Sequence, residues 1–504
     1  MARYGTFKYG DGTKYGEEVT ENNLWAVLVD WDEDGAWDDN EAIRMVGFRS
    51  KRGRDYLIKS DGTGFERVMK GEATCILDNS DGRYDANNSS SPLYPNVGPG
   101  KRIQVLVKNG SAGAVDYIIT GTIENILPVS GRNPRVSVKI VDGYKTLFKQ
   151  TINIAVQAGQ RVDALFGMIL ADADWPVSWG SAIDSASDVI PFWWARNEPA
   201  WESAQLLAEA MLGTFFLAAD GKASFYGRSH SGANVLDLTQ DYLKKEIGGS
   251  QPWEVIRNNI TVVVNPRVSV PATELWRATE VISIPAGGSF EFWSPYKYGT
   301  EDVPATNVIP PVSGTDYTAN TAADGSGTNI TAYFTPVIYD FGTIAKQTYT
   351  NSYGSTGYLT LAKLRGDALS LPHDMKLNKE DPVSVARFGT MVFELNNPFL
   401  QDVILATTFK DYLALVLPEV REFPKIQMQS RPNLQFVPDL FDRIGLTVEK
   451  LGISNVFSVG SIEHEWISEN GQDVLTVLRC EPLPPVSAAW SFPVQYGSTA
   501  IFGF

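Results

Sequence analysis

An acidic segment near the amino terminus holds the residues whose types and spacing are best suited to chemistry. It runs from Asp30 to Glu41, has the sequence DWDEDGAWDDNE, and contains seven acidic residues among its twelve positions. So many carboxylates in one short loop repel one another unless a cation neutralises them. The segment therefore indicates a metal site or a strongly solvated loop.

The spacing follows the ligand order of a calcium loop of EF-hand type. Such a loop takes carboxylates from positions 1, 3 and 5, turns at a glycine in position 6, and uses the carbonyl of position 7. Position 9 acts through a water, and position 12 binds with both carboxylate oxygens. Gly35 occupies position 6. The predicted ligands are Asp30, Asp32, Asp34, Ala36, Asp38 and Glu41. Hard oxygen ligands in this number favour Ca²⁺ over zinc or a redox metal.

The segments that flank this acidic loop predict strands, whereas an EF-hand has helices there. Leu24–Val29 and Ala42–Phe48 are both rich in β-forming residues. We therefore expect a structural calcium ion in a loop that joins two strands and braces a β-domain. The alternative is a solvated acidic hairpin built on Asp-Gly turn chemistry.

The composition predicts a multidomain, mainly β protein. A chain of 504 residues is too long for one core, so about three or four domains are expected. Its 44 glycines and 28 prolines separate short β-like runs, which indicates strands joined by long loops. The net charge of -16 argues against a nucleic-acid-binding surface, which needs a basic stripe. An acidic wall would repel DNA that passes it and would not grip it.

No pattern predicts export or a membrane anchor. The first residues, MARYGTFKYGDGTKYGEE, lack the apolar core of a signal peptide, and no apolar run approaches the length of a membrane span. Cys75 and Cys480 lie far apart and are expected to be two separately buried thiols. We expect a soluble protein made in a cytoplasm.

Local patterns predict several shorter elements. The basic segment Arg49–Arg54 (RSKRGR) is expected to be a solvated turn that partly balances the acidic loop. Apolar residues at helical spacing predict helices over Val162–Ala171 and Ala200–Leu212. Asn397 is expected to cap a further helix that has Pro398 at its first position.

An aromatic cluster lies between the first two predicted helices. It consists of Trp175, Trp179, Phe192, Trp193, Trp194 and Trp201. Such a cluster is either a platform for carbohydrate or the core of a domain or interface, where aromatic residues are enriched. Packing is the favoured interpretation.

The residues that usually carry catalysis form no recognisable arrangement. None of the three histidines lies in an HExxH motif, and no nucleophile elbow, P-loop or dinucleotide fingerprint occurs. His464 has Glu463 and Glu465 beside it on a predicted strand, which places both carboxylates on the opposite face; we expect a structural edge histidine. Cys75 lies in a strand without an identifiable histidine partner. No spacing singles out a carboxylate pair for glycoside cleavage. We expect no enzyme.

One segment carries a family resemblance. Gly71–Val107 combines a strand, the sequence LDNSDGRYD, a stretch that ends in SPLYPNV, and then PGKRIQVLV. It resembles the first β-domain of siphophage tail-tip hub proteins, which are similar to the central hub of contractile-tail baseplates. The preceding strand–DWDEDG–strand unit and the later segments VIRNNITVVV and IEHEW are similar to further parts of these proteins.

The resemblance implies a mainly β fold with α+β parts: two tube-like β-barrel domains, a helix-containing domain and an inserted β-sandwich. The expected segments are an N-terminal arm (1–23), a first tube-like β-domain with the acidic calcium loop (24–150), an α+β domain (151–253), a second tube-like β-domain with an associated helix (254–265 with 380–485), the inserted β-sandwich (266–345), a connecting segment (346–379) and a C-terminal docking tail (486–504).

The resemblance also implies a structural virion protein at the tail tip. Hubs of this kind are homotrimers whose paired β-domains adapt threefold symmetry to a sixfold tail tube. The expected partners are distal tail and tail-tube proteins, the tape-measure protein and other tail-tip or fibre proteins, with DNA passing through the channel without specific binding. One alternative is a calcium-braced receptor- or glycan-binding tail protein, with the aromatic cluster as its platform. Another is a cell-wall hydrolase.

Overall fold

The structure is a computed structural model. It describes residues 23–109, 114–129, 131–185, 188–228, 230, 233–240, 247–250, 255–371, 373–429, 432–468, 473–483, 490–493 and 499–502. About half of the chain is strand and 15% is helix, which confirms the predicted mainly β class. The N-terminal arm expected at 1–23 lies outside the described residues apart from Asn23.

The amino-terminal β-rich region has six strands: β1 (Asn23–Asp30), β2 (Met45–Gly53), β3 (Met69–Asp78), β4 (Arg102–Asn109), β5 (Val115–Val129) and β6 (Arg135–Asp142). A short 3₁₀ helix, Glu41–Arg44, precedes β2, so only the second half of the strand expected at Ala42–Phe48 is extended. Strand β3 shows why these segments are strands: Ala73, Cys75 and Leu77 are buried and alternate with less buried residues, which is the period of a half-buried strand.

The next region mixes helices and short strands. It contains α1 (Tyr144–Lys149), β7 (Thr151–Arg161), α2 (Val162–Asp172), β8 (Ser181–Ile183), β9 (Val189–Pro199), α3 (Ala200–Glu209), β10 (Thr214–Leu217), β11 (Ala223–Tyr226), β12 (Leu236–Thr239) and β13 (Ile247–Ser250). The helices predicted over Val162–Ala171 and Ala200–Leu212 are confirmed as α2 and α3. Their apolar faces pack in one core with β9 and β10.

The following strands build the insertion and a small neighbouring sheet. They are β14 (Asn259–Val264), β15 (Val268–Arg277), β16 (Ile282–Ile284), β17 (Ser289–Pro295), β18 (Lys297–Tyr298), β19 (Glu301–Asp302), β20 (Ala305–Ile309), β21 (Tyr317–Asn320), β22 (Phe334–Asp340), β23 (Ile344–Asn351), β24 (Gly357–Ser370), β25 (Met375–Glu380) and, after α4 (Pro382–Phe388), β26 (Val392–Asn396).

The carboxy-terminal region returns to longer strands. It contains α5 (Val403–Val416), β27 (Phe423–Gln429), α6 (Pro432–Gln435), β28 (Arg443–Val448), β29 (Ile453–Trp466), β30 (Val474–Pro482), β31 (Trp490–Pro493) and β32 (Thr499–Phe502). Of the docking tail expected at 486–504, only β31 and β32 are described, and they pair with each other. No described helix is long and apolar enough to cross a membrane.

A single twelve-stranded sheet joins the two ends of the chain. Its order is β1-β4-β5-β6-β3-β2-β29-β30-β27-β13, with β28 also beside β29 and β12 beside β28. The two β-rich regions predicted as separate barrels meet where β2 pairs with β29, from Arg49 opposite Glu465 to Gly53 opposite Ser461. Strand β2 ends at a glycine with φ of +100°, where an added Cβ would lie 2.2 Å from the Gly460 carbonyl oxygen. We call this β2–β29 pairing the seam.

The inserted β-sandwich is larger than its predicted limits. One sheet contains β15, β24, β16, β20 and β21, and the other contains β17, β23 and β22. Side chains from both sheets, including Tyr317, Tyr349 and Leu359, share one core. Strand β24 pairs with four other strands of the insertion, so 346–370 belongs with the insertion and is not a connecting segment.

The segment NITVVV also has a different partner from the one predicted. Strand β14 pairs with β25 and β26 in a three-stranded sheet that α5 covers, whereas β27 to β30 join the large sheet. Helix α5 begins after Asp402, whose carboxylate accepts the backbone N–H groups of Ile404 and Leu405 at 2.7 and 2.9 Å. The predicted cap at Asn397 is wrong, because its side-chain amide oxygen accepts from the N–H of Phe399 in the turn that precedes the helix.

The basic segment Arg49–Arg54 is not a solvated turn. Residues 49–53 lie in β2, and the side chains of Arg52 and Arg54 are buried. Arg54 makes two hydrogen bonds to Glu481, at 2.8 and 2.7 Å, and Arg52 lies 2.7 Å from Asp439. The prediction failed because the acidic partners come from distant parts of the chain that the local pattern does not reveal.

Candidate metal site in the acidic loop

The acidic loop connects β1 to the 3₁₀ helix before β2 and is built from tight turns. The carboxylate of Asp32 accepts the N–H of Asp34 at 3.2 Å, and the carboxylate of Asp34 accepts the N–H of Ala36 at 2.8 Å. Glu33 and Gly35 have φ values of +63° and +89°. Glycine adopts such φ values without steric cost, which explains Gly35 in the loop.

Three of the predicted ligands come together. One carboxylate oxygen from each of Asp30, Asp32 and Asp38 lies within 4.8 Å of the other two. Asp30 is buried at the end of β1, while Asp32 and Asp38 are exposed. Backbone N–H groups hold all three: Asp38 accepts the N–H of Trp31 at 2.6 Å, Asp30 accepts the N–H of Gly35 at 3.2 Å, and Asp32 accepts the N–H of Asp34.

Glu41 lies apart from these three carboxylates. Its side chain is 2% exposed, and it accepts hydrogen bonds from Arg83 at 2.8 Å, from the Tyr84 hydroxyl at 2.5 Å and from the Trp31 indole N–H at 3.2 Å. Burial, followed by the Glu41 charge, raises the pKa of Tyr84 far above its usual value, so the hydroxyl stays protonated and donates. The carboxylate predicted for position 12 therefore anchors the loop to the segment after β3.

The Asp34 carboxylate is not part of this group, and the Ala36 carbonyl stays a predicted ligand. Asp34 is exposed and one of its oxygens caps the Ala36 N–H. The residues that sequence reasoning missed are Arg83 and Tyr84. They lie in LDNSDGRYD, so the signal was present, but nothing in the spacing of the acidic loop pointed to it.

Four of the six residues of the aromatic cluster lie in a core. Trp175, Trp179, Trp193 and Trp201 are all buried in the core that α2 and α3 share. The Trp175 indole donates to the Gly180 carbonyl at 2.8 Å. This confirms the packing interpretation and removes these four rings as a carbohydrate platform.

The cysteines and His464 are also structural. Cys75 and Cys480 are buried and unbonded to each other, as predicted, and burial raises the pKa of Cys75 to about 12, so its thiol is neutral at pH 7. His464 is not an edge residue, because β29 lies between β2 and β30. Burial, assisted by the charge of Arg52, lowers the pKa of His464 to about 3, and Nδ1 lies 2.8 Å from the Thr476 hydroxyl.

An exposed aromatic row crosses the outer face of the insertion. In the sheet of β17, β23 and β22, Trp293 lies opposite Lys346, which lies opposite Tyr339. Trp293 is 53% exposed and Tyr339 is 57% exposed. Lys346 forms an ion pair with Glu291 at 2.9 Å. Sequence reasoning missed this row, because no motif marks residues that only strand register brings side by side.

Comparison with known proteins gives relatives by fold only. No protein-family model and no curated protein sequence matches the chain. The structure is similar to that of a tail protein from Neisseria meningitidis MC58, with a TM-score of 0.50 and 9% identity over 92% of this chain and 96% of that one. At this identity the likeness concerns the fold, and it confirms the predicted resemblance of the fold to a tail protein.

Two further solved structures with lower scores are a 43 kDa tail protein of prophage MuSo2 from Shewanella oneidensis and prophage tail protein gp18 from Listeria monocytogenes EGD-e. The first has a TM-score of 0.48 and 9% identity over 91% of this chain and 98% of that one. The second has a TM-score of 0.41 and 9% identity over 90% and 94%.

Proposed function

We propose that the protein is a structural subunit of a phage-type tail that acts as the hub of a tail tip or baseplate. The observation that carries this proposal is the fold likeness to a tail protein, which extends over 92% of this chain and 96% of the other. A match over nearly the whole of both chains favours a shared architecture and not one common domain. The segments that resemble hub proteins in sequence also lie in the parts that build the large sheet and its neighbours.

The proposed hub is a homotrimer that adapts threefold symmetry to a sixfold tail tube. The seam supports this role, because it makes both β-rich regions one hydrogen-bonded sheet with a fixed spacing between them. A symmetry adaptor needs two such regions per chain held at a constant separation. The proposed neighbours are tail-tube and distal tail proteins on one side, fibre or tip proteins on the other, and the tape-measure protein in the channel.

In this proposal the protein works by assembly and catalyses no reaction. The net charge of -16 suits a wall along which DNA slides, because like charges repel the phosphate backbone and prevent adhesion. The virion tail tip is the proposed location.

Imaging of tails tests the proposal. Particles in which the chain carries a compact C-terminal tag should show three copies of the extra density around the axis at the distal end of the tail tube. The untagged particle is the control. Density elsewhere on the particle, or a copy number that is not a multiple of three, would contradict the hub. Clearing of host cell walls in a zymogram would contradict the non-enzymatic role.

A second candidate function, glycan binding by the insertion, is favoured by the exposed aromatic row. Trp293 and Tyr339 present flat apolar rings on either side of Lys346, and the adjacent Glu291 adds an acceptor. Sugars stack on such rings and use neighbouring charged groups for their hydroxyls.

A binding assay on host surface polysaccharide tests this candidate. Trp293→Ala and Tyr339→Ala should each abolish binding to host cell-wall polysaccharide in calorimetry. Tyr298→Ala is the matched control, because Tyr298 is an exposed aromatic residue of the insertion outside this row. Wild-type protein that fails to bind the polysaccharide, or equal losses in all three variants, would refute it.

A further inference from the structure

We propose that Asp30, Asp32 and Asp38 bind one Ca²⁺ ion and that this ion fastens the acidic loop to the end of β1. The site differs from the EF-hand order, because Glu41 is bonded to Arg83 and Tyr84 and because Asp34 is not among the clustered carboxylates. The proposal does not depend on the tail function and can be tested on the isolated protein.

The spacing of the three carboxylates matches the size of the ion. Calcium binds oxygen ligands at about 2.3–2.6 Å, so two ligands on opposite sides of the ion lie at most about 4.6–5.2 Å apart. The three carboxylate oxygens of Asp30, Asp32 and Asp38 all lie within 4.8 Å of one another. A single ion can therefore contact all three without rearrangement of the backbone.

A buried oxygen without a hydrogen-bond partner is the independent observation. Asp30 is 5% exposed, and its Oδ1 atom has no hydrogen-bond partner among the described residues. Its other oxygen is held by the N–H of Gly35. A buried carboxylate oxygen that lacks a partner is costly, and a cation placed between it and the other two carboxylates removes that cost.

Three of the other four acidic residues of the loop already have a cationic side chain as partner. Glu33 lies 3.4 Å from Lys101, and Asp39 lies 2.6 Å from Arg83, which also binds Glu41. The carboxylates of Glu33, Asp39 and Glu41 are therefore neutralised by basic side chains of the protein. Those of Asp30, Asp32 and Asp38 are the ones that we assign to the proposed ion.

The basic residue opposite Asp30 in the sheet, Arg102, contacts an aromatic ring. Arg102 on β4 lies opposite Asp30 on β1 in the strand register. Its guanidinium group lies over the ring of Trp37, 4.7 Å from the ring centroid. Burial lowers the pKa of Arg102, and the Asp30 charge opposes that change. Within the described residues Arg102 forms no ion pair with the cluster at 4.0 Å or less, so most of the cluster's negative charge remains for a divalent cation.

The ligand chemistry selects the ion. Three carboxylates offer only hard oxygen atoms, which disfavours zinc and copper. Asp32 and Asp38 are exposed, so waters can complete a coordination number of six to eight, as calcium prefers. Magnesium needs a tighter octahedral arrangement at about 2.0–2.1 Å and should bind more weakly at this spacing.

Terbium luminescence and thermal unfolding test the site. Tb³⁺ should bind metal-free protein and be sensitised by Trp31 and Trp37, which flank the cluster in sequence, and Ca²⁺ should displace it. At a calcium concentration of about 100 times the dissociation constant, the Tm of the amino-terminal β-rich region should rise by about 5 °C or more. Absence of both effects in the wild-type protein would overturn the proposal.

Two matched substitutions distinguish the structural ligand set from the EF-hand order. Asp38→Asn keeps an oxygen for the Trp31 N–H but removes a ligand charge, so the calcium affinity should fall by about tenfold or more. Asp34→Asn removes the same charge from the same loop and should lower the affinity by less than about threefold. Equal losses, or a larger loss for Asp34→Asn, would refute the assignment.

Discussion

Two charged segments that are close together in sequence differ in how far the structure buries them. The acidic loop, 30–41, keeps several exposed carboxylates and brings oxygens of Asp30, Asp32 and Asp38 within 4.8 Å of one another. The basic segment, 49–54, forms part of β2 and buries two arginines against acidic partners. A dense run of charge therefore does not by itself predict exposure, because burial depends on whether the fold supplies a counter-charge.

The distance to the counter-charge explains the difference. Arg54 pairs with Glu481, which is 427 residues away, and Arg52 pairs with Asp439, which is 387 residues away. The partner of Glu41 is Arg83, only 42 residues away. The acidic loop is thus organised within one region, whereas the basic segment is organised by the seam between two regions.

The largest expected effect is on the buried ion pair at the seam. Glu481→Gln leaves Arg54 charged and buried beside a neutral amide, so the free energy of unfolding should fall by about 3–5 kcal/mol. Chemical denaturation, followed by the fluorescence of the tryptophans in the large sheet, measures the change.

The double variant Arg54→Met with Glu481→Met is the control for this prediction. It removes both charges and leaves apolar groups of similar length, so it should be less destabilised than Glu481→Gln. If the double variant were the less stable of the two, the pair itself and not the unpaired charge would be the source of the stability.

The next effect concerns the anchor of the acidic loop. Glu41→Gln keeps the shape of the side chain but removes the charge that Arg83 and Tyr84 contact, and the free energy of unfolding should fall by about 2–3 kcal/mol. Calcium should still raise the Tm of this variant, because Glu41 is not a proposed ligand. Loss of the calcium response in this variant would instead support Glu41 as a ligand, as in the EF-hand order.

Acid should weaken the seam through His464. Because the folded pKa of about 3 lies below the unfolded value of 6.5, the unfolded chain takes up a proton that the folded chain refuses. The contribution of neutral His464 to the free energy of unfolding is fully present above pH 6.5 and is lost as the pH falls towards 3. Between pH 7 and pH 5 the loss should be about 2 kcal/mol. Unfolding free energies measured over this range should fall less steeply in His464→Gln than in the wild-type protein. Parallel profiles would contradict the assignment.

The smallest effect is expected for an exposed ion pair near the acidic loop. Arg44 contacts Asp81 through two hydrogen bonds, at 3.0 and 2.7 Å, but the Asp81 side chain is 52% exposed. Arg44→Ala should cost about 0.2–1 kcal/mol, and added salt should reduce the difference from wild type. If Arg44→Ala lowered the free energy of unfolding as much as Glu481→Gln does, exposed and buried ion pairs would contribute equally, which would contradict this prediction.

Local patterns predicted much of the secondary structure. Apolar periodicity located α2 and α3, and β-forming runs located β1 and β14, because each element buries one face or is fully buried. The spacing of the acidic loop predicted that Asp30, Asp32 and Asp38 come together, but it did not show that Glu41 of the same loop would be bonded to Arg83 and Tyr84.

Long-range partners were beyond such patterns. Nothing near Arg52 or Arg54 indicates Asp439 or Glu481, and nothing near Glu41 indicates Arg83. Strand pairing has the same limitation, because NITVVV fits any buried strand position equally well. The end of the insertion was placed by composition, although the alternation in Gly357–Ser370 marks a strand that continues it.

The seam also has a consequence for biosynthesis. Strand β29 leaves the ribosome long after β2, so the nascent chain carries β2 with one unpaired edge throughout most of translation. An open edge of this kind can recruit a strand from another copy. Charged side chains on an open edge discourage such pairing, and Arg49 and Lys51 lie on β2, whose partner β29 emerges only with residues 453–466.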